Sequence, residues 1–121
     1  MQAAALVGDR LDLYSGNDDQ IVPIMSVGGQ GVISVLSNVM PKETSRLCHR
    51  FLEGDVKGAA RRQLELMPLI DALFCEVNPI PVKAAMAAMG WCENCVRLPL
   101  TTMEAPHFET LRALMAGQGL L

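Results

Sequence analysis

Cys92 and Cys95 form the most chemically suggestive spacing in the chain, a Cys-x-x-Cys pair around Glu93 and Asn94. Two such pairs would indicate a zinc site, and one pair at the start of a thioredoxin-like helix would indicate redox chemistry. The sequence shows neither context. An isolated cysteine usually behaves as a small apolar residue. We therefore expect no metal site, no cofactor and no redox function, and the remaining candidate ligands have no metal-binding spacing to the pair: Cys48, Cys75, His49 and His107.

Other residues could in principle supply acid–base or covalent catalysis. Asp18 and Asp19 follow a strand-like run, where open α/β sheets bind ligands, but we favour helix capping and compensation of the helix dipole. A Schiff-base lysine needs a desolvated pocket, whereas Lys42, Lys57 and Lys83 occupy polar or helix-start positions. No hydrolase triad is indicated, because the candidate hydroxyl residues lack a nearby histidine and acid: Ser34, Ser37, Thr101 and Thr102.

A short βαβ unit at the start of the chain must position Asp18, Asp19 and Ser34. Residues 11–15 and 32–36 have strand-like patterns, and the apolar stretch 21–27 between them predicts a helix. Residues 28–31 (Gly-Gly-Gln-Gly) precede a strand and lack a Lys-Ser/Thr sequence, so they predict a tight turn with positive φ and no phosphate loop. Parallel strands normally belong to a larger sheet that is buried on both faces. The chain therefore looks like part of a larger architecture, with Leu11, Val32, Val35 and Leu36 exposed to water.

The rest of the chain predicts helices. Residues 1–8 resemble the end of a helix, and a helix from about Pro41 to residue 53 buries Leu47, Phe51 and Leu52. Gly54 ends that helix and Asp55 caps the next. The following helix runs from about 56 to 74 or 76, contains Pro68, and has this predicted buried stripe: Leu64, Met67, Ile70, Leu73 and Phe74.

The C-terminal half adds two shorter helices. Residues 78–81 (Asn-Pro-Ile-Pro) predict a rigid, non-helical connector, followed by a helix over 82–89 that Gly90 closes. Thr101 and Glu104 have capping-box spacing before a last helix over about 106–116. That helix has a predicted inward face of Phe108, Leu111, Leu114 and Met115.

Composition limits the possible functions. The chain has 121 residues, a net charge of −3 and no basic stripe, which argues against nucleic-acid binding. No apolar run is long enough to span a bilayer, and the N-terminus lacks the pattern of a secretory signal. We therefore expect a cytoplasmic protein with reduced thiols and no membrane partner.

Seven segments occur in a recognisable order and spacing from about Gly8 to the C-terminus. They are residues 14–19 (Tyr-Ser-Gly-Asn-Asp-Asp), 28–35 (Gly-Gly-Gln-Gly-Val-Ile-Ser-Val), 37–39 (Ser-Asn-Val), 73–74 (Leu-Phe), 76–83 (Glu-Val-Asn-Pro-Ile-Pro-Val-Lys), 97–100 (Arg-Leu-Pro-Leu) and 119–121 (Gly-Leu-Leu). Together they resemble the dihydrodipicolinate synthase family, within the N-acetylneuraminate lyase-like class I aldolases. The Asn-Pro-Ile-Pro-Val-Lys block is highly specific for that family.

The resemblance implies an α/β fragment that is mostly helical. The family fold is a TIM (β/α)8 barrel followed by a bundle of three helices. Residues 1–54 would supply the last two βα units of the barrel as a partial barrel segment, and residues 55–121 would form the C-terminal helical bundle. More than half of the family's chain would be missing.

The family's reaction is a lyase-type Schiff-base condensation of pyruvate with aspartate semialdehyde, in the diaminopimelate pathway of lysine biosynthesis. By resemblance, the Schiff-base lysine, the tyrosine and threonine proton relay, the arginine that receives the aldehyde substrate and the feedback site for lysine all lie in the missing part. Gly16 and Ile33 match main-chain groups that line the pyruvate pocket. No catalytic residue carries over, so the resemblance implies that this chain alone is inactive.

Three interpretations of such a fragment remain open. It could be a catalytically silent, truncated synthase that buries its strands by self-association, including a strand- or domain-swapped homo-oligomer. It could be one half of a split synthase, completed in trans by an N-terminal half-barrel and binding pyruvate only then, or an interaction module. It could also be a fragment with no role of its own.

Overall fold

A computed structural model describes all residues from Met1 to Leu121. Six α-helices and two very short strands follow one another along the chain, which confirms the prediction of a mostly helical protein. Their bounds are α1 Gln2–Val7, β1 Tyr14–Ser15, α2 Ile21–Met25, β2 Gly31–Val32, α3 Pro41–Leu52, α4 Val56–Leu73, α5 Ile80–Ala88 and α6 Ala105–Gly117, with 3₁₀ turns at Gly8–Arg10, Asp18–Gln20 and Leu36–Asn38. No helix combines the length and apolar character needed to cross a bilayer.

The chain divides into two compact units, residues 1–66 and 67–121, and the division falls within α4. The sequence placed its division at residues 54 and 55, at the turn between α3 and α4. The helix that follows this turn contributes its first part to the first unit.

The two strands pair in parallel, with Tyr14 opposite Gly31 and Ser15 opposite Val32. Both are shorter than the predicted runs 11–15 and 32–36. The second strand ends early because the chain turns into the 3₁₀ helix Leu36–Asn38, whose first amides bond to a side chain and not to a strand. The prediction that Leu36 is exposed was wrong, since Leu36 is 0% exposed, whereas Leu11 is exposed as expected.

The glycine-rich turn between α2 and β2 has the predicted geometry. Gly28 has a φ of +98°, which favours glycine. A Cβ on Gly29 would lie 2.7 Å from the Ile24 carbonyl oxygen, so this backbone also passes too close for a side chain. The turn delivers the chain to β2 beside β1, where the Gln30 amide donates to the Leu13 carbonyl at 2.7 Å.

The α3–α4 connection follows the sequence closely. Pro41 occupies the first turn of α3, Gly54 has a φ of +94°, and the Asp55 carboxylate accepts a hydrogen bond from the Gly58 amide at 2.9 Å. Leu47 is buried as predicted, but Leu52 is exposed, so the predicted buried face of α3 was partly wrong.

The buried face of α4 differs from the predicted stripe. Leu64, expected inside, is 70% exposed, and Phe74 lies beyond the helix and is exposed. Ile70 and Leu73 are buried as predicted. The other buried positions of α4 begin with a small and a polar side chain, and they are Ala59, Gln63, Leu66, Leu69 and Ala72. The prediction started from the large apolar Leu64 and therefore missed a face that includes a glutamine.

Two predicted features of the C-terminal unit were wrong. Ile80 and Pro81 belong to α5, because a proline in the first helical turn loses no hydrogen bond. Thr101 does not cap α6. The N-cap of that helix is Glu104, whose side chain makes no capping bond, and its amide donates to a Glu76 carboxylate oxygen at 3.0 Å. Gly90, with a φ of +74°, ends α5 as predicted, and Leu111 and Met115 form the buried face of α6.

Candidate functional site

The carboxyl ends of β1 and β2 place Gly16 and Ile33 on adjacent strands at one edge of the small sheet. Gly16 follows β1 and Ile33 follows β2, and the Ile33 amide donates to the Ser15 carbonyl at 2.9 Å. The Ile33 side chain is 77% exposed, and no atom lies within 4 Å of the position of a Cβ on Gly16. The edge is therefore open around both residues.

The Ser15 hydroxyl holds the backbone at Gly16 in a tight turn. It donates to the Asn17 carbonyl at 2.7 Å and accepts from the Asn17 amide at 3.2 Å. Ser15 itself is buried. The Ser15 side chain thus bonds across Gly16 to both main-chain groups of Asn17 and fixes the direction in which the chain leaves β1.

Asp18 links the loops that follow the two strands. One of its carboxylate oxygens, Oδ2, accepts hydrogen bonds from the Val35 amide at 2.9 Å and from the Leu36 amide at 3.0 Å. The residue is 0% exposed, and its second oxygen, Oδ1, is buried without a hydrogen-bond partner. The prediction that Asp18 caps its own helix was wrong. The N-cap there is Asn17, without a side-chain bond, and Asp18 instead binds the first amides of the Leu36–Asn38 turn.

Gln63 on α4 hydrogen-bonds to the same region and was not among the predicted site residues. Its amide nitrogen donates to the Asp18 carbonyl at 3.2 Å and the Asp19 carbonyl at 2.5 Å, and its amide oxygen accepts from the Val22 amide at 2.8 Å. Gln63 is only 4% exposed. The available signal was a polar residue four positions after Ala59 and three before Leu66, on a face that is otherwise apolar.

The Asp18 carboxylate also affects the thiol of Cys48 on α3. Burial, first, and repulsion from the Asp18 carboxylate, second, raise the pKa of the Cys48 thiol above its ordinary value. This thiol therefore stays protonated at neutral pH and is a poor nucleophile. Cys48 is half-buried on α3.

The serine side chains that follow the second strand hydrogen-bond to nearby residues. The Ser34 hydroxyl accepts from the Ser37 amide at 2.8 Å, and the Ser37 hydroxyl donates to the Ser34 carbonyl at 3.0 Å. Lys42 and Lys57 are exposed on α3 and α4, as expected for solvated lysines. The edge thus presents main-chain groups, which can orient a small ligand but cannot form a covalent intermediate.

Comparison with known proteins identifies the family. A family model described as the dihydrodipicolinate synthetase family matches residues 1–118. The chain belongs to this family. A 4-hydroxy-tetrahydrodipicolinate synthase from Alkaliphilus oremlandii is 51% identical over 121 residues, which are 100% of this chain and 42% of that protein. One from Caldicellulosiruptor bescii is 53% identical over 116 residues, which are 96% of this chain and 39% of that protein.

A solved member of the dihydrodipicolinate synthetase family has the same local fold. The crystal structure of dihydrodipicolinate synthase from Thermotoga maritima superimposes with a TM-score of 0.92 at 42% identity, covering 96% of this chain and 39% of that one. The 121-residue chain therefore spans about two fifths of the length of the relatives it matches.

The Cys-x-x-Cys pair of this chain belongs to the second unit. Cys92 and Cys95 are exposed free thiols in the irregular segment after α5. Neither lies in a group of three or more histidine, cysteine, aspartate or glutamate side chains placed to hold a metal ion.

Proposed function

We propose that residues 1–121 are the C-terminal portion of a 4-hydroxy-tetrahydrodipicolinate synthase. Residues 1–54 would form the last two βα units of a (β/α)8 barrel, and residues 55–121 the helical bundle after it. The proposal is supported by the 39–42% share of the relatives that this chain matches and by a two-stranded parallel sheet, since such a sheet is normally one part of a larger one.

The reaction of the complete enzyme would be the Schiff-base condensation of pyruvate with aspartate semialdehyde in lysine biosynthesis, in the cytoplasm. A covalent mechanism fails entirely without its nucleophile. The three lysines of this chain lie on α3, α4 and α5 and none on the strands. The Schiff-base lysine and the proton relay would therefore come from residues outside this chain, and the chain alone would be inactive.

Within the completed barrel, Gly16 and Ile33 would line the pyruvate pocket with main-chain groups. Active sites of such barrels lie at the carboxyl ends of the strands, where both residues sit. The amide of Ile33 is already bonded to the Ser15 carbonyl. Its contribution would therefore be its carbonyl oxygen, whereas Gly16 makes no main-chain hydrogen bond and can offer both groups. This pair of strand ends is the observation that carries the proposal.

The decisive experiment is completion in trans. The 121-residue chain would be co-expressed with the portion of the Alkaliphilus oremlandii synthase that precedes the matched 121 residues, and condensation of pyruvate with aspartate semialdehyde would be measured. We expect background activity from each part and clear turnover from the pair. Reduction with borohydride in the presence of pyruvate should label the added part alone. A pyruvyl adduct on Lys42, Lys57 or Lys83 would contradict the proposal.

A second candidate function is self-association, which open strand edges favour. Leu11, Tyr14 and Ile33 are all exposed at or beside the two strands. A strand- or domain-swapped homo-oligomer would cover these side chains. Light scattering coupled to gel filtration tests this idea directly. A monomer at micromolar concentration with a well-dispersed NMR spectrum would exclude it.

A further inference from the structure

Cys92 and Cys95 are both tied to one residue of α5, Lys83. The Cys92 thiol donates to the Lys83 carbonyl with an Sγ–O distance of 3.9 Å. The Lys83 ammonium donates to the Cys95 carbonyl. Spacing alone gave the cysteine pair no structural context, and these two contacts supply it, because both cysteine residues contact the same residue of α5.

The backbone between the two cysteines is folded back on itself. The Cys95 amide donates to the Glu93 carbonyl at 2.9 Å, which closes a three-residue turn. The Trp91 amide donates to the Met86 carbonyl at 3.0 Å and holds the start of the segment to α5. Four extended residues would separate the terminal Cα atoms by about 10 Å, whereas a disulfide requires about 4.4–6.8 Å. The turn shortens this separation in the direction that a disulfide needs.

The other two cysteines lack these features. Cys48 lies on α3 and Cys75 follows α4, and neither has a cysteine nearby in sequence. Burial raises the pKa of both thiols, with nearby carboxylates of Asp18 and Glu76 adding to the effect. Each is therefore less available as a thiolate.

We propose that Cys92 and Cys95 are a dithiol site that forms a reversible disulfide by exchange with a low-molecular-weight disulfide. The thiolate of one cysteine attacks the small disulfide, its S–S bond breaks, and one small thiol leaves. The second cysteine then attacks the protein sulfur of the mixed disulfide and releases the second small thiol. Two protein thiols are oxidised and one small disulfide is reduced to two thiols.

The test uses the reduced 121-residue chain and oxidised glutathione as the probe. After equilibration in a glutathione redox buffer, free thiols are alkylated and the protein is analysed by mass spectrometry. We expect the loss of two hydrogen atoms, two alkylated thiols at Cys48 and Cys75, and a peptide with Cys92 linked to Cys95. Because the second step is intramolecular, glutathione adducts on this pair should stay below roughly one tenth of the protein.

Single variants separate this mechanism from simple glutathione addition. C92S and C95S should each accumulate the mixed disulfide on the remaining cysteine, whereas C75S should form the Cys92–Cys95 linkage as fully as the original chain. Stable glutathione adducts on both Cys92 and Cys95 of the unsubstituted chain would overturn the proposal. Linkage of either residue to Cys75 in a monomeric sample would also overturn it. None of these readouts depends on synthase activity.

Discussion

The Asp18 carboxylate lies 2.9 Å from the Val35 amide nitrogen and so joins the two segments that follow the paired strands. The same oxygen also binds the Leu36 amide. The Ile33 amide still bonds to the Ser15 carbonyl, and two residues later the Val35 amide turns to the Asp18 side chain, which ends the pairing of the second strand. Gly16 lies two residues before Asp18, and Ile33 lies two residues before Val35, so the contact joins the segments that leave the two strand ends.

Removing this carboxylate should destabilise the first unit. Asp18→Ala leaves the Val35 and Leu36 amides without an acceptor, and each buried unpaired donor costs about 1–3 kcal/mol. We expect a loss of roughly 2–4 kcal/mol in the free energy of unfolding, measured with urea. Asp19→Ala is the matched control, because Asp19 is exposed, and it should change stability by less than about 0.5 kcal/mol. Equal effects of the two variants would contradict the role assigned to Asp18.

Gln63 should contribute more to the free energy of unfolding than the neighbouring Leu64, although its side chain is polar. Gln63→Ala removes three hydrogen bonds to the Asp18, Asp19 and Val22 backbone, and we expect a cost of about 1–3 kcal/mol. Leu64→Ala removes a mostly exposed side chain and should cost less than about 0.5 kcal/mol. Urea unfolding of the two variants compares them directly. A larger loss of stability for Leu64→Ala would instead support the predicted buried face of α4, which included Leu64.

Local signals in the sequence predicted the parts of the fold that depend on single residues. Pro41 at the start of α3, Gly54 at its end and the Asp55 cap all act within one helical turn, so a window of a few residues determines them. The parallel pairing of the first two strand regions was also predictable, because their order and connection restrict it.

The remaining features depend on contacts between distant residues. Asp18 has capping potential towards its own helix, but its partners are 17 and 18 residues away. Thr101 has the spacing of a capping box, but the amide at Glu104 is taken by Glu76, which is 28 residues away. For the candidate site, the sequence and its resemblance indicated Gly16 and Ile33. The spacing around Gln63 places a polar residue on an apolar helix face, but neither that spacing nor the resemblance indicates which backbone groups Gln63 and Asp18 bind.

The Glu76 carboxylate should make stability depend on pH in acid. The hydrogen bond from His107, first, and that from the Glu104 amide, second, hold the pKa of Glu76 below its ordinary value of 4.5. A carboxyl group whose pKa is lower in the folded state stabilises the fold above its unfolded pKa, and this contribution is lost as pH falls through the folded pKa. The stabilisation is therefore present above about pH 4.5 and disappears below it.

Comparison with Glu76→Gln isolates this effect. Urea midpoints measured from pH 7 down to pH 3 should show the original chain more stable than the variant at the upper end, with the difference shrinking as Glu76 protonates. Glu109→Gln, on an exposed position of the same helix as His107, should not reproduce that trend. A difference in urea midpoint that stays constant from pH 7 to pH 3 would show that the charge of Glu76 does not contribute to stability.

Substitution of two glycines of the first unit by alanine should change stability by different amounts. A Cβ on Gly29 would lie 2.7 Å from the Ile24 carbonyl oxygen and 2.9 Å from its carbonyl carbon, so Gly29→Ala requires a backbone shift. We expect it to cost about 1–3 kcal/mol, as overpacking generally does. Gly16→Ala meets no atom within 4 Å and should leave the stability of this chain within about 0.5 kcal/mol of the original.

The same substitution at Gly16 also tests the proposed pocket when the barrel is completed in trans. The added methyl group would lie beside the main-chain groups proposed to line the pyruvate pocket, so we expect condensation to fall by about tenfold or more, which corresponds to about 1.4 kcal/mol of transition-state binding. Because we expect Gly16→Ala to leave the fold intact, the loss should appear in turnover or in the KM for pyruvate and not as a lower urea midpoint. Full activity of Gly16→Ala in a completed enzyme would remove Gly16 from the pyruvate pocket, while leaving the membership of the chain in its family untouched.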